Sequence, residues 1–158
     1  MSSTISGKCL VLGDNIDTDA IVPGRFLREK NLENFALAGL GAEMPQKLRN
    51  FQIIVAGKNF GCGSSREQAA VALKRAGIKC IIAESFARIF YRNTINLGIA
   101  VLECKIGAKE NEEFEIDLQS GKIQNKSTGA TARAAPLSKF ALEVLEADGL
   151  IPYYKARM

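Results

Sequence analysis

Residues 51–85 read FQIIVAGKNFGCGSSREQAAVALKRAGIKCIIAES, and this stretch decides the fold. Two short apolar runs, 51–57 and 79–85, are bounded by turn residues and predict β-strands. Between them, 66–77 has the apolar spacing of an α-helix and closes on a glycine, a residue that ends many helices. A strand, a helix and a second strand in this order are typical of an α/β domain.

The same alternation continues on both sides of this stretch. Further strands are predicted over 8–13, 98–104 and 113–119, with a hairpin through Ser120 and Gly121, and further helices over 32–40, 85–98 and 136–149. We expect a layered α/β domain with an antiparallel element near 113–125. Residues 14–31 have no clear periodicity, so we expect a loop on the surface.

The composition fits one domain over 1–158. Of the 158 residues, 47% are hydrophobic, which is enough to enclose a core. No apolar run approaches the roughly 18 residues of a membrane span, and MSSTISGK lacks the apolar segment of a signal peptide. The net charge of +4 comes from cations spread along the chain. We therefore expect a cytoplasmic protein that binds neither a membrane nor nucleic acid.

The sequence contains no histidine and four cysteines that lie far apart. Without an imidazole, this chain cannot form a Ser-His-Asp triad, a Cys-His pair or an HExxH metal site. Cys9, Cys62, Cys80 and Cys104 form no CxxC pair and are expected to be reduced thiols. We expect no metal and no cofactor in this chain, so its chemistry must use serine, lysine, arginine and carboxylates, or groups from a partner.

The loop between the first strand and the helix of the opening stretch is the candidate site. Its glycines and serines precede a helix N-terminus, where unpaired N–H groups and a partial positive charge favour an anion such as a carboxylate. The pattern is neither a dinucleotide fingerprint nor a P-loop. The alternative is purely structural, because Ser64 with Glu67, or Ser65 with Gln68, could form a capping box.

Three ordered motifs carry a family resemblance. They are GDNIDTDAIVPGRF (13–26), FGCGSSRE (60–67) and IIAESFARIFYRNTINLG (81–98). Together they resemble the aconitase superfamily, in particular the small subunit of 3-isopropylmalate dehydratase, homoaconitase and the swivelling domain of aconitase. The resemblance covers residues 8–154. The family often has His where Gln68 stands and Pro where Ala70 stands.

The resemblance implies a swivelling β/β/α three-layer domain, like the C-terminal domain of aconitase. Such a domain closes over an active site on a separate large subunit, which carries a [4Fe–4S] cluster. The implied activity is that of a hydro-lyase, which interconverts 2- and 3-isopropylmalate by dehydration and rehydration in leucine biosynthesis. Homoaconitase, or a related enzyme acting on a tricarboxylate or dimethylmalate, is one alternative. A non-catalytic carboxylate-binding module is another.

The resemblance also implies roles for the residues of the loop. In aconitase-like enzymes a serine of this motif removes the C–H proton of the substrate, and it matches Ser64. Ser65 and Arg66 would bind a substrate carboxylate, and the backbone at Gly61 and Gly63 would help to bind the substrate.

Other polar residues are weaker candidates. Arg28 falls where the family selects its substrate, and an arginine there suits an extra carboxylate. Thr18 and Asp19 are expected to order their loop, with a secondary role at the site for Asp19. Arg88 and Arg92 are four residues apart on one helix face, where we expect a structural ion pair rather than substrate contact.

Overall fold

The computed structural model describes residues 3–158 and contains a seven-stranded mixed sheet with helices. The strands are β1 (Thr4–Val11), β2 (Ile53–Ala56), β3 (Cys80–Ala83), β4 (Ala100–Glu103), β5 (Glu113–Asp117), β6 (Lys122–Asn125) and β7 (Thr131–Arg133). The α-helices are α1 (Thr18–Ile21), α2 (Met44–Leu48), α3 (Gln68–Arg75), α4 (Arg88–Asn96), α5 (Lys139–Glu146) and α6 (Leu150–Lys155). No helix within residues 3–158 has both the length and the apolar character that crossing a bilayer requires.

The sheet has a parallel half and an antiparallel half that share β1. The strand order is β4-β3-β2-β1-β5-β6-β7. Cys9–Val11 of β1 pairs in parallel with β2, whereas residues 4–8 pair antiparallel with β5. The parallel strands β2 and β3 are buried on both faces, whereas β5 alternates between buried and partly exposed residues. The predicted α/β class and the antiparallel element near 113–125 are confirmed.

Helices α3 and α4 connect the parallel strands, and both face the core. Alanine and leucine side chains of α3 are buried, and the small alanines let this helix approach the sheet closely. The predicted helices over 66–77, 85–98 and 136–149 are confirmed, although each is shorter than the periodic run that predicted it. The α5 helix begins only after Ser138, whose hydroxyl accepts the Ala141 N–H at 3.1 Å.

The prediction of one helix over 32–40 is wrong. Two 3-10 turns, Leu32–Phe35 and Ala38–Leu40, occupy this range, and Leu37 between them has a φ of 65°. The N–H of Leu37 donates to Ile21 O at 2.7 Å instead of to a carbonyl of its own turn. This tertiary hydrogen bond interrupts the helical run that the apolar spacing predicted.

The prediction of a surface loop over 14–31 is wrong for its first half. Residues 18–21 form α1, capped by Asp17 Oδ1, which accepts the Ala20 N–H at 2.7 Å. Ile16, Ile21 and Val22 are buried. A four-residue helix is too short to give a periodic pattern, and the short elements α2, β7 and α6 were likewise not predicted.

Candidate active site

The loops that follow β1, β2 and β3 meet at the carboxyl edge of the parallel half. The Asn15 N–H donates to Lys58 O at 2.8 Å, and the Phe60 N–H donates to Ser85 O at 3.0 Å. The Ala87 N–H returns a bond to Phe60 O at 3.0 Å. Ligands of α/β sheets bind in crevices outside the carboxyl ends of the strands, so this edge is the expected place for a site.

The segment with the two serines is attached to α1 and to the residues before it. The Gly61 N–H donates to Ile16 O at 2.7 Å, and the Thr18 N–H donates to Cys62 O at 2.8 Å. The hydroxyl of Thr18, which is 7% exposed, accepts the Ser64 N–H at 3.1 Å. The backbone position of Ser64 is therefore set by a buried side chain at the start of α1.

Gly61 and Gly63, the two glycines of this segment, have different structural roles. Gly61 is buried at a φ of 81°, and a Cβ there would lie 2.2 Å from Phe90 Cγ. Its N–H is already bonded within the protein, so Gly61 cannot offer that donor to a substrate and serves close packing instead. Gly63 is exposed, and within residues 3–158 its N–H and that of Ser65 have no hydrogen-bond partner. These two N–H groups can bind an anion beside Ser64.

The serines do not cap α3, so the capping-box alternative is wrong. The helix begins at Gln68, and the Glu67 side chain at its N-cap makes no capping bond. The Ser64 hydroxyl oxygen instead accepts the Arg66 N–H at 3.2 Å. Both serines and Arg66 are exposed to solvent. Their side chains are thus available for a ligand.

A pocket of about 200 Å³ opens between this segment and α1. Its lining residues are Thr18, Asp19, Val22, Leu27, Ser64, Arg66 and Ala69. The apolar residues of this lining, Val22, Leu27 and Ala69, are called the apolar wall, and the polar residues are Thr18, Asp19, Ser64 and Arg66. This combination suits a small molecule with an apolar group and a carboxylate.

A second groove adjoins this pocket and shares Leu27 and Arg66 with it. Its other lining residues are Gly24, Arg25, Arg28 and Gln68. Arg28 is exposed, and the groove brings its side chain to the same surface as Arg66. The guanidinium of Arg25 stacks over the Phe26 ring at 4.5 Å. Five of the predicted site residues therefore line the two depressions, namely Thr18, Asp19, Arg28, Ser64 and Arg66, whereas Gly61, Gly63 and Ser65 line neither.

Comparison with known proteins identifies the family. The Aconitase C-terminal domain family matches residues 14–107, which include the three motifs except Gly13 and all the lining residues of both depressions. The chain belongs to the aconitase C-terminal domain family. The family resemblance and the fold class expected from the sequence are thereby confirmed.

Three relatives are similar to this aconitase C-terminal domain over nearly its whole length. The isopropylmalate/citramalate isomerase small subunit of Methanocaldococcus jannaschii is 50% identical, covering 100% of this chain and 98% of the relative. The methanogen homoaconitase small subunit of Methanothermobacter thermautotrophicus is also 50% identical, and the match covers 98% of this chain and 92% of the relative. A crystal structure of 3-isopropylmalate dehydratase from Methanocaldococcus jannaschii has a TM-score of 0.90 at 42% identity, covering 98% of this chain and 95% of that one.

The remaining polar candidates of this aconitase C-terminal domain differ in their contacts. Asp19 Oδ1 accepts the Gly24 N–H at 3.0 Å, which fixes the turn that leads to Arg28. Arg88 and Arg92 are exposed on α4, and no salt bridge in the described part of the chain includes either of them. The structural ion pair expected for these two arginines is therefore absent from residues 3–158.

The residues of this domain do not fit an iron–sulfur cluster. Cys9 and Cys80 are buried, and burial, with the nearby Glu112 carboxylate, raises the pKa of the Cys9 thiol to about 11. Burial raises the pKa of the Cys80 thiol still more, so neither thiol is disposed to become a thiolate ligand. Within residues 3–158, no group of three or more Cys, Asp or Glu side chains is placed to hold a metal ion.

Several residues at the site were not predicted from the sequence, among them the apolar wall and Asn93. Val22 and Leu27 of the apolar wall lie in a segment too irregular for any periodic signal. Asn93 of α4 donates from Nδ2 to Ser65 O at 3.4 Å. Its place within a motif of the family resemblance was a possible signal, although nothing local to α4 indicates which backbone group it meets.

Proposed function

We propose that this chain is the small subunit of a 3-isopropylmalate dehydratase, a hydro-lyase that interconverts 2- and 3-isopropylmalate together with a large subunit. One observation carries the proposal: the pocket beside Ser64 combines a serine hydroxyl, a guanidinium and an apolar wall. The names of the similar small subunits support the same reaction class.

In this proposal Ser64 removes the C–H proton next to a substrate carboxylate. A serine hydroxyl is a weak base, so its ionised form must be stabilised by its surroundings. The N–H of Arg66 already donates to Ser64 Oγ, and the Arg66 side chain adds a positive charge at the same pocket. Closure by the large subunit would exclude water and strengthen both interactions.

The substrate carboxylate binds to Arg66 and to the free N–H groups of Gly63 and Ser65. A guanidinium presents a planar pair of donors that matches a carboxylate, and charge-assisted bonds of this kind are the stronger ones. The Ser65 hydroxyl, which is exposed, adds a further donor. The isopropyl group lies against Val22, Leu27 and Ala69, where it is removed from water.

The proposal assigns the [4Fe–4S] cluster of this enzyme class to the large subunit. The dispersed cysteines of this chain support that division, since clusters are held by sets of neighbouring thiolates. Free thiols also suit a reducing compartment, and we place the enzyme in the cytoplasm.

We expect the purified chain, prepared without oxygen, to be colourless, free of stoichiometric iron and inactive on isopropylmalate. Adding a cluster-bearing large subunit should produce dehydratase activity, because each chain supplies only part of the site. Iron analysis, absorption spectra and an assay of the mixed chains check this result. Activity of the isolated chain, or a cluster bound to it, would contradict the division. A non-catalytic carboxylate-binding module would be inactive both alone and after mixing with the large subunit.

Homoaconitase is the second candidate function, and Arg28 is the observation that favours it. An apolar substrate group gains nothing from a guanidinium, whereas a third carboxylate gains a charge-assisted pair. Arg28 shares a groove with Arg66, and the homoaconitase small subunit of Methanothermobacter thermautotrophicus is 50% identical to this chain. Isopropylmalate remains the first candidate because the pocket at Ser64 has an apolar wall.

Replacing Arg28 with valine should separate the two substrates. In the enzyme reconstituted with its natural large subunit, we expect kcat/KM for homoaconitate to fall by about tenfold or more, as losing a charged hydrogen bond implies. We expect kcat/KM for isopropylmalate to change by less than about threefold. Arg92→Val, which removes an exposed arginine outside both depressions, is the matched control. Equal effects of Arg28→Val on the two substrates would show that this position does not select between them.

A further inference from the structure

We infer that Asn93 is a positioning residue for Ser64 and acts through the peptide bond between Ser65 and Arg66. The inference rests on the proposed role of Ser64 as the base. Asn93 lies on α4, half-buried, and its Nδ2 donates to the carbonyl oxygen of Ser65 at 3.4 Å. Asn93 is not among the residues that line the pocket.

One peptide unit connects Asn93 to the reacting atom. Its carbonyl oxygen belongs to Ser65 and accepts from Asn93, whereas its N–H belongs to Arg66 and donates to Ser64 Oγ at 3.2 Å. Because a peptide is planar, holding its oxygen also fixes the direction of its N–H. The side chain of Asn93 therefore orients the hydrogen bond that Ser64 Oγ receives.

The same chain of bonds affects the charge on Ser64. A carbonyl that accepts a hydrogen bond polarises its peptide, so the N–H on the other side becomes a better donor. A donor aimed at an oxygen favours the ionised form of that oxygen and lowers its pKa. Asn93 thus makes the Ser64 hydroxyl a more effective base without touching it or the substrate.

Packing of α4 gives Asn93 the fixed position that this role needs. One turn earlier on the same helix, Phe90 packs against Gly61 and meets the Phe60 ring edge-on, with ring centroids 5.4 Å apart. The start of α4 is attached to the same segment by the bond from Ala87 N–H to Phe60 O. The contacts of Ala87 and Phe90 therefore fix the position of α4 relative to the serine loop, independently of Asn93.

The loop is held from two sides. The hydroxyl of Thr18 accepts the N–H of Ser64, and Asn93 binds the carbonyl one residue later. Among the described residues, these are the side-chain contacts to the backbone of Ser64 and Ser65 from outside the loop. Without Asn93, the backbone of Ser65 would lose this hydrogen bond from outside the loop, and the bond from Thr18 would reach only Ser64.

The test uses the enzyme reconstituted with its large subunit. We expect Asn93→Ala to lower kcat by about tenfold, the scale of one lost hydrogen bond, with KM nearly unchanged. The acidic limb of the kcat profile should move to higher pH, because the base becomes harder to ionise. Asn93→Asp keeps the shape but loses the donor, and it should lower kcat at least as much as Asn93→Ala. The control is Asn96→Ala, an exposed asparagine of the same helix whose side chain bonds to nothing in the described residues; its kcat should match the parent.

A double variant separates positioning from structural support. If Asn93 acts through Ser64, adding Asn93→Ala to Ser64→Ala should change the residual rate by less than about twofold, because effects within one catalytic unit do not add. A full further tenfold loss would overturn the inference, as would an unchanged pH profile in Asn93→Ala. If the Ser64→Ala enzyme retained the parent rate, the proposal that Ser64 is the base would be contradicted. If only the Asn93 variants were unaffected, that role would stand and the inference alone would fail.

Discussion

Ser64→Ala should lower kcat of the reconstituted enzyme by about three orders of magnitude or more, the scale expected when an essential catalytic group is removed. Folding and subunit pairing should be nearly unchanged, since Ser64 is exposed and its hydroxyl caps no helix. Steady-state kinetics with isopropylmalate would measure kcat, circular dichroism of the free chain would measure folding, and gel filtration of the mixed subunits would measure pairing.

Ser138→Ala is the informative control for this variant. It also removes one serine hydroxyl, but that hydroxyl caps α5. We expect a loss of stability of about 1 kcal/mol, with kcat unchanged. If Ser64→Ala kept more than about a tenth of the parent rate, the effect would be below ~1.4 kcal/mol and Ser64 could not be the base.

Gly61→Ala should produce the largest loss of stability at the site. Its φ of 81° is unfavourable for any residue with a Cβ, at a cost of about 1–2 kcal/mol. The new Cβ would also lie 2.2 Å from Phe90 Cγ, and such overpacking costs about 1–3 kcal/mol more. We expect Tm to fall by about 10 °C in a thermal melt of the isolated chain.

Gly77→Ala isolates the backbone contribution to this loss. Gly77 has a φ of 101°, but a Cβ there would have no heavy atom within 4 Å, so only the conformational strain applies. The Gly77→Ala variant should therefore lose clearly less stability than the Gly61→Ala variant. Adding Phe90→Leu to Gly61→Ala should restore part of the lost stability, because it removes ring atoms from the clash. A Gly61→Ala variant no less stable than Gly77→Ala would contradict the close approach of Phe90.

The strands and helices of the parallel half could be predicted because their patterns are strong and local. Buried strands β2 and β3 read as continuous apolar runs, and α3 has regular helical spacing. The prediction failed over 32–40, where the backbone of Leu37 bonds to Ile21. A contact between distant residues decided that conformation, and local spacing carries no information about it.

The same distinction applies to the site. Ser64, Arg66 and Arg28 were predicted from motifs, and the structure places all three on two adjoining depressions. The contacts that position Ser64 were not predictable, since Thr18 and Asn93 lie 46 and 28 residues from the backbone groups they bind. A sequence motif can indicate which residues react, but it does not show which distant side chains hold them in place.

Because β1 pairs with β2 along one part and with β5 along another, the parallel and antiparallel halves of the sheet depend on the same strand. A fragment ending before β5 would leave one edge of β1 bare, and a fragment starting there would lose the strand on which the meander is built. We therefore expect that a cut between the two halves of the sheet would break the strand pairing of β1 on one side or the other. The two halves are expected to be kept together in any fragment that retains the serine loop.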